Sequence, residues 1–75
     1  MASFASAMPF KETMDEASRL ENIAADPKKP YESMYKARDV MNMLKLSLES
    51  SNKDNSKQVL IAVTNFRLGR NFLDT

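Results

Sequence analysis

The sequence predicts an all-α protein built as a helical hairpin, and three observations support this prediction. Apolar residues recur at three- and four-residue steps along most of the 75 residues, which is the spacing of an amphipathic helix. One glycine and three prolines leave few turn-forming residues, whereas an all-β domain needs many turns. A two-proline segment interrupts the pattern, and such a short connector normally joins helices that turn back on each other.

The first helix is predicted over residues 9–25, after a flexible leader of residues 1–8. Pro9 suits the first turn of a helix, where its missing N–H costs no hydrogen bond. The helix ends at a proline-rich turn of residues 26–30, because each proline disfavours helical geometry in the residue before it. The residues that form this helix break are Asp26, Pro27 and Pro30.

The second helix is predicted over residues 30–68, with a helix stop at Gly69 and a tail of residues 69–75. It carries two apolar rows, separated by a polar run at residues 50–56. From Leu48 to Val59 is 11 residues, or three turns at about 3.67 residues per turn, so the rows can share one face. We expect that face to be the assembly or partner interface. Its residues are Met34, Ala37, Met41, Leu44 and Leu48 in the first row, and Val59, Ala62, Val63 and Phe66 in the second.

The polar run allows two interpretations. In the first, it is a loop and Ser56 caps a third helix, so that the fold is a three-helix mini-bundle. In the second, the long helix continues through it, straight or kinked. The phase of the apolar rows favours continuity in an assembled state, while the poor helix propensity of Ser, Asn and Asp favours a break in a free monomer. Residues 58–64 are also rich in β-branched side chains, which is compatible with a strand.

The size of the chain indicates that it needs a partner. A single domain of this length buries a modest core, so an isolated monomer is marginally stable. Small domains usually gain stability from disulfides, a metal or another chain. The sequence has no cysteine and no histidine, which removes disulfides and the commonest zinc and copper ligands. We therefore expect a homo-oligomer or a protein partner, with no cofactor and no metal.

Charge is distributed unevenly along the chain. Residues 1–26 hold two basic and five acidic side chains (net −3), and residues 27–75 hold nine basic and five acidic ones (net +4). Such a dipolar chain can pack head to tail with its own copies. The basic residues of the last segment also suit a small nucleic-acid-binding regulator, although the basic excess is small for that class. The residues that would face nucleic acid, or the lumen of an assembly, are Asn55, Lys57, Asn65, Arg67 and Arg70.

The sequence offers no catalytic constellation. The usual nucleophile–base pairs need histidine or cysteine, and a phosphate-cradling loop needs more than one glycine. The acidic residues of the first helix are best interpreted as a solvated face with local ion pairs. No run approaches the roughly 18 apolar residues of a membrane span. The N-terminus does not resemble a Sec signal peptide, so we expect a protein that is cytoplasmic at synthesis. Export by a route without a cleaved signal is also compatible with this composition.

Several segments resemble a known family. They are the break from Asp26 to Pro30, Tyr35, the polar residues 51–52 and the segment 62–67 with sequence Ala-Val-Thr-Asn-Phe-Arg. A short helix, an Asp-Pro break and a long helix near the C-terminus resemble the needle-forming subunits of bacterial type III secretion systems. The inner-rod subunits and small helical-hairpin chaperones of the same systems are similar as well. The chain departs from the needle pattern in continuing for residues 68–75 beyond the arginine.

The resemblance implies a hairpin protomer that polymerises helically around a secretion channel. Polar side chains of the C-terminal helix would line the lumen. The sequence thus yields three hypotheses of function: a non-enzymatic self-assembling subunit, whose most specific form is such a filament; a helical nucleic-acid-binding regulator; and a chaperone or antagonist of a single protein partner.

Overall fold

The computed structural model describes residues 9–24 and 32–74, which form three α-helices. They are α1 (Phe10–Ala24), α2 (Glu32–Ser50) and α3 (Gln58–Leu73). The described residues contain no strand, which confirms the all-α prediction and shows that 58–64 is helical. A three-helix bundle fits this architecture better than a hairpin with one long second helix. The predicted leader, the proline-rich turn and residue 75 lie outside the described residues.

Helix α1 is amphipathic. Its first turn follows Pro9, whose carbonyl oxygen accepts a hydrogen bond from the backbone N–H of Thr13 at 3.1 Å. Met14 and Ala17 are buried, and Phe10 and Leu20 pack partly against the same cluster. The three- and four-residue spacing of these apolar side chains places them on one stripe, which α1 turns towards α2.

Helix α2 is the central element of the bundle. Both other helices pack against it, and α1 and α3 contact each other much less. Its buried residues are the five of the predicted apolar row, at steps of three and four, together with Ser47. They are Met34, Ala37, Met41, Leu44, Ser47 and Leu48.

Helix α2 ends where serine side chains compete for its last carbonyl groups. The carbonyl oxygen of Ser47 accepts hydrogen bonds from the hydroxyls of Ser50 and Ser51, both at 3.0 Å. The backbone N–H of Ser51 donates to the same oxygen at 3.2 Å. Such local side-chain bonds offer the backbone an alternative to a continued helix. The polar run therefore separates α2 from α3 in the single chain.

Asparagine and aspartate side chains shape the loop of residues 51–57. Asn52 Oδ1 accepts the backbone N–H of Lys57 at 2.9 Å, and Asp54 Oδ1 accepts that of Ser56 at 3.1 Å. Asn55 has a φ of 65°, in the left-handed region that asparagine tolerates better than most residues. The N-cap of α3 is Lys57, without a side-chain cap, and not Ser56 as expected.

Helix α3 continues past the predicted stop at Gly69. It runs to Leu73, with the backbone N–H of Asp74 donating to the carbonyl oxygen of Arg70 at 3.0 Å. Gly69 does not adopt a positive φ, so it is not a left-handed cap. The prediction of a tail over residues 69–75 was therefore wrong. The physical reason is Asn71, whose side chain bonds to both other helices and stabilises the last turn.

The three helices alternate in direction. Glu21 near the end of α1, Met34 near the start of α2 and Asn71 near the end of α3 are joined by hydrogen bonds, so α2 runs antiparallel to both neighbours. The apolar core lies mainly between α1 and α2, and α3 adds one buried apolar residue to it. Its buried members are Met14, Ala17, Ala37, Met41, Leu44, Leu48 and Leu68. Within the described residues, no helix is both long and apolar enough to cross a membrane.

Candidate functional site

The face of α3 that packs against the bundle mixes polar and apolar residues. Its buried residues are Thr64, Leu68 and Asn71, of which only Leu68 is apolar. Thr64 and Asn71 are both 0% exposed. Leu60 and Ile61 lie partly buried against the core at the start of the helix. A helix that serves only to complete an apolar core would turn an apolar stripe inward.

The hydroxyl of Thr64 is satisfied within its own helix. Thr64 Oγ1 donates to the carbonyl oxygen of Leu60 at 2.8 Å. This bond to the residue four positions earlier allows burial of the hydroxyl without a partner from another element.

Asn71 links all three helices through one side-chain amide. Its Nδ2 donates to Glu21 Oε2 of α1 at 2.9 Å and to the carbonyl oxygen of Met34 of α2 at 3.2 Å. Its Oδ1 accepts Nε of Arg38 at 2.9 Å. The amide therefore fixes how the end of α3 sits against the other two helices, because a buried amide needs all these partners in place.

An ion pair extends this network between α1 and α3. Arg67 Nη2 donates to Glu21 Oε1 and to the hydroxyl of Ser18, both at 3.0 Å. The two charged side chains are 23% and 22% exposed. Together, Ser18, Glu21, Arg38, Arg67 and Asn71 are called the polar clamp below. Throughout the described part of the chain, every buried side-chain nitrogen and oxygen atom has a hydrogen-bond partner.

Two aromatic rings flank the clamp at the guanidinium of Arg38. The guanidinium carbon lies 3.8 Å from the ring centroid of Phe72 and 5.0 Å from that of Tyr35. Both distances are within the range of a cation–π interaction. The stacking orients Arg38 towards Asn71 and adds a contact between α2 and the last turn of α3.

The opposite side of α3 presents an apolar surface to solvent. Val59 is 73% exposed, Phe66 65% and Leu73 86%. Successive residues of an α-helix are about 100° apart, which places this stripe about 160° from the buried residues. We call it the α3 outer stripe. Its residues are Val59, Ala62, Val63, Phe66 and Leu73.

The structure separates the two predicted apolar rows. The first row, from Met34 to Leu48, is buried inside the single chain, so a substitution there tests folding and not assembly. The second row, from Val59 to Phe66, lies on the outer stripe. In the single chain the two rows do not share one face, because the 11-residue phase argument needs a continuous helix and the 51–57 loop breaks it; a shared face in the assembled state stays a prediction.

The predicted polar candidates do not form one surface. Asn55 is exposed in the loop, Lys57 is partly buried beside it, and Asn65 is exposed on α3. Arg67 belongs to the clamp, where Glu21 neutralises it. Arg70 lines a cleft of about 290 Å³ between α1 and α3, together with Ser18, Glu21, Arg67 and Asp74. The helix-break residues Asp26, Pro27 and Pro30 lie outside the described residues.

The charged face of α1 consists of exposed ion pairs. Lys11 Nζ lies 2.9 Å from Asp15 Oδ2, and Arg19 Nη2 lies 2.6 Å from Glu16 Oε2. The hydrogen bond with Asp15 raises the pKa of Lys11, and the hydrogen bond from Arg19 lowers the pKa of Glu16. Exposed pairs of this kind contribute little to stability. Within the described ranges, no group of three or more potential metal-ligating side chains is present.

A smaller apolar patch lies on the solvent side of α2. Met43 and Leu46 are exposed there and line a shallow pocket of about 320 Å³ with Ser47 and Ser50. It is shorter than the outer stripe, because polar residues precede and follow it along α2. It provides a matched surface against which the outer stripe can be tested.

The sequence interpretation missed the clamp. The available signal was the polar spacing of Thr64, Arg67 and Asn71, which lie three and four residues apart and so share one helix face. Apolar periodicity does not reveal this polar face, because it selects only the rows of apolar residues. Glu21 and Arg38 gave no local signal, since their partners lie 50 and 33 residues away.

Comparisons of the chain with family models, with curated proteins and with solved structures found no match. The resemblance to type III secretion subunits therefore stays a prediction.

Proposed function

We propose that this chain is a non-enzymatic helical assembly module whose α3 outer stripe binds another protein surface, self-assembly being the form favoured. The observation that supports this proposal is the orientation of α3. The helix buries two polar side chains, Thr64 and Asn71, completely in the bundle, while it leaves a row of apolar side chains exposed to solvent. Contiguous exposed apolar surface of this kind usually marks an interaction site.

The orientation of α3 has an energetic cost in the single chain. Burying one Val, Leu or Phe side chain contributes roughly 1.5–3 kcal/mol. A half-turn rotation of α3 would bury part of the stripe, but it would break the hydrogen bonds of Asn71 and Arg67. The clamp therefore holds the stripe outward, where no other described part of the chain covers it.

The distribution of charge supports contact between copies. Helix α1 carries two basic and four acidic residues, whereas α3 carries two basic residues and no acidic one. Because Glu21 and Arg67 already neutralise each other inside the chain, this difference leaves only a small attraction between copies, which acts beside the contact of the stripe. A secretion filament is the most specific form of this proposal. In that form, the loop of residues 51–57 becomes helical in the assembly.

Sedimentation velocity over a wide concentration range tests the proposal. We expect mass to rise with concentration for the unchanged chain, and Phe66→Asp to reduce association at least tenfold. Leu46→Asp on the α2 patch is the matched control, since it removes a similarly exposed apolar side chain and adds the same charge. Circular dichroism verifies that both variants fold.

Two results would overturn this proposal. A chain that stays monomeric at every concentration would rule out self-assembly and favour a chaperone or antagonist with a different partner. Loss of association in Leu46→Asp with no change in Phe66→Asp would move the contact to α2.

A further inference from the structure

We infer that the surface covering the outer stripe is the α3 helix of a second copy, packed antiparallel about a twofold axis. This inference rests on the proposed function and specifies its partner. Along the stripe and the exposed Gly69 beside it, large and small residues alternate at steps of three and four, and Val63 lies at one edge of this row. The large residues are Val59, Phe66 and Leu73, and the small ones between them are Ala62 and Gly69.

Because large and small residues alternate, the rows of two copies can fit into each other. When two α3 helices run antiparallel with the axis midway between positions 62 and 66, Phe66 lies opposite Ala62 of the second copy. In the same register, Val59 lies opposite Gly69 of the second copy. Every large side chain in these layers meets a small one, as knobs-into-holes packing requires. Because each contact occurs twice, the interface is isologous and closes as a dimer, so a filament would need a further contact elsewhere on the chain.

Gly69 is an independent observation in favour of close packing. Its φ is not positive, so its backbone conformation does not require glycine. A Cβ atom added at Gly69 would meet nothing within 4 Å, so packing inside the chain does not require glycine either. Glycine is the least favourable residue in a helix interior after proline. A second helix approaching this point closely gives it a physical role.

The placement of charge selects the antiparallel direction. Arg70 flanks the stripe, and α3 itself carries no acidic residue, while Asp74 directly after the helix lines the same cleft as Arg70. In the antiparallel register the two Arg70 positions are separated by 12 residues, or about 18 Å along the helix axes. That separation exceeds the Debye length of roughly 8–10 Å at physiological salt. A parallel pair would bring the two arginines side by side.

The length of α3 sets the expected strength of the dimer. Its 16 residues span about 24 Å. A contact along one helix of this length falls below the standard interface of about 1,600 Å², in the class of weak and reversible complexes. The dimer should therefore form at micromolar or higher concentrations, which determines the range of the experiment.

Cross-linking of single-cysteine variants tests the register. The chain has no native cysteine, so each variant carries one reactive thiol. Asn65→Cys and Gln58→Cys lie on the same flank of the stripe, seven residues apart. In the antiparallel dimer the two copies of position 65 lie within about 3 Å along the axis, and those of position 58 about 18 Å apart. A short bismaleimide should join Asn65→Cys chains and leave Gln58→Cys chains unjoined.

The outcomes distinguish this inference from the proposed function. Cross-linking at position 58, alone or together with position 65, would not fit the antiparallel register and would overturn the inference. Cross-linking at neither, with dimers still present in sedimentation, would overturn it while leaving self-assembly intact. Monomers at every concentration would overturn both.

Gly69→Leu supplies a second test. We expect it to raise the dimer dissociation constant at least tenfold without lowering the melting temperature of the dilute monomer, since the added side chain meets open space there. Unchanged dimerisation would exclude close packing at Gly69.

Discussion

Helices α1 and α3 both pack against α2, but by different means. Helix α1 is held by burial of apolar side chains, chiefly Met14 and Ala17 against the α2 row. Helix α3 contributes a single buried apolar residue, Leu68, and is held by the directed hydrogen bonds of Asn71 and Arg67. Apolar burial is non-directional and tolerates exchange between similar volumes, whereas a buried hydrogen bond requires particular atoms.

The two packing modes therefore contribute differently to the stability of the fold and to the orientation of its helices. The α1–α2 core contributes most of the free energy of folding, as expected for the dominant favourable term. The clamp determines which side of α3 faces the bundle. Its partners are polar groups that water can also satisfy, so its net contribution to stability is smaller. Substitutions in the core, in the clamp, at the end of α3 and in the loop should therefore change stability by decreasing amounts.

Leu44→Ala should strongly destabilise the chain. Leu44 is 0% exposed, and truncation of a buried leucine costs about 2–5 kcal/mol. A domain of this size has a total stability of roughly 4–11 kcal/mol. Urea denaturation followed by circular dichroism measures the loss. The control is Met43→Ala, one position earlier on the exposed side, for which we expect less than about 1 kcal/mol. Equal losses would contradict the placement of the core.

Asn71→Ala should destabilise the chain by about 2 kcal/mol, because it leaves acceptors and donors of two other helices without their partner. The effect should be local. Amide hydrogen exchange should accelerate in α3 while α1 and α2 keep their protection. Uniform acceleration across all three helices would show that the clamp supports the whole core. The core and the clamp would then not have separate roles. Asn65→Ala, exposed on the same helix, is the matched control.

Gly69→Ala should stabilise the monomer by up to about 1 kcal/mol, the difference in helix propensity between the two residues. The added methyl group meets no other atom within 4 Å. Thermal unfolding of a dilute sample should therefore show a higher midpoint. A lower midpoint would indicate that the last turn of α3 is packed more tightly than described.

Asp54→Ala should have the smallest effect, and it should depend on pH. Hydrogen bonds with the hydroxyl and the backbone N–H of Ser56 hold the pKa of Asp54 below its ordinary value. A lowered pKa means a contribution to stability that is present above the ordinary aspartate pKa of about 3.9 and is lost as pH falls through the lowered value. The stability difference between the two chains should accordingly be constant near neutral pH and shrink in acid. A difference that grows in acid would contradict this sign.

Much of the fold could be predicted from the sequence, because the helices are marked by the local spacing of their apolar residues. The steps of three and four from Met34 to Leu48 place these side chains on one face, and that face is buried. The polar run at residues 50–56 was ambiguous. Phase across a gap predicts a shared face only if the helix is continuous, and the serine hydroxyls at the end of α2 interrupt it.

The orientation of α3 could not be predicted in this way. Its apolar row is as regular as that of α2, but periodicity shows only that a helix has two faces. The choice between them depends on Glu21 and Arg38, which are distant from Asn71 in sequence and close to it only after folding. The helix stop predicted at Gly69 was wrong for a similar reason. Its local preference for ending a helix is outweighed by the tertiary bonds of Asn71, two positions later.

The sequence separation within the clamp also determines when it forms. Asn71 and Glu21 are 50 residues apart, and Arg67 and Ser18 are 49 apart. Closing a loop of that length costs entropy before any contact compensates for it, while each pair of neighbouring helices closes a much shorter loop. The clamp should therefore be absent from the folding transition state, with φ-values near 0 for Asn71 and higher values for Leu44. Contacts that form late mainly slow unfolding. The clamp would then act as a kinetic lock, which prolongs the lifetime of the outward-facing stripe more than it accelerates its formation.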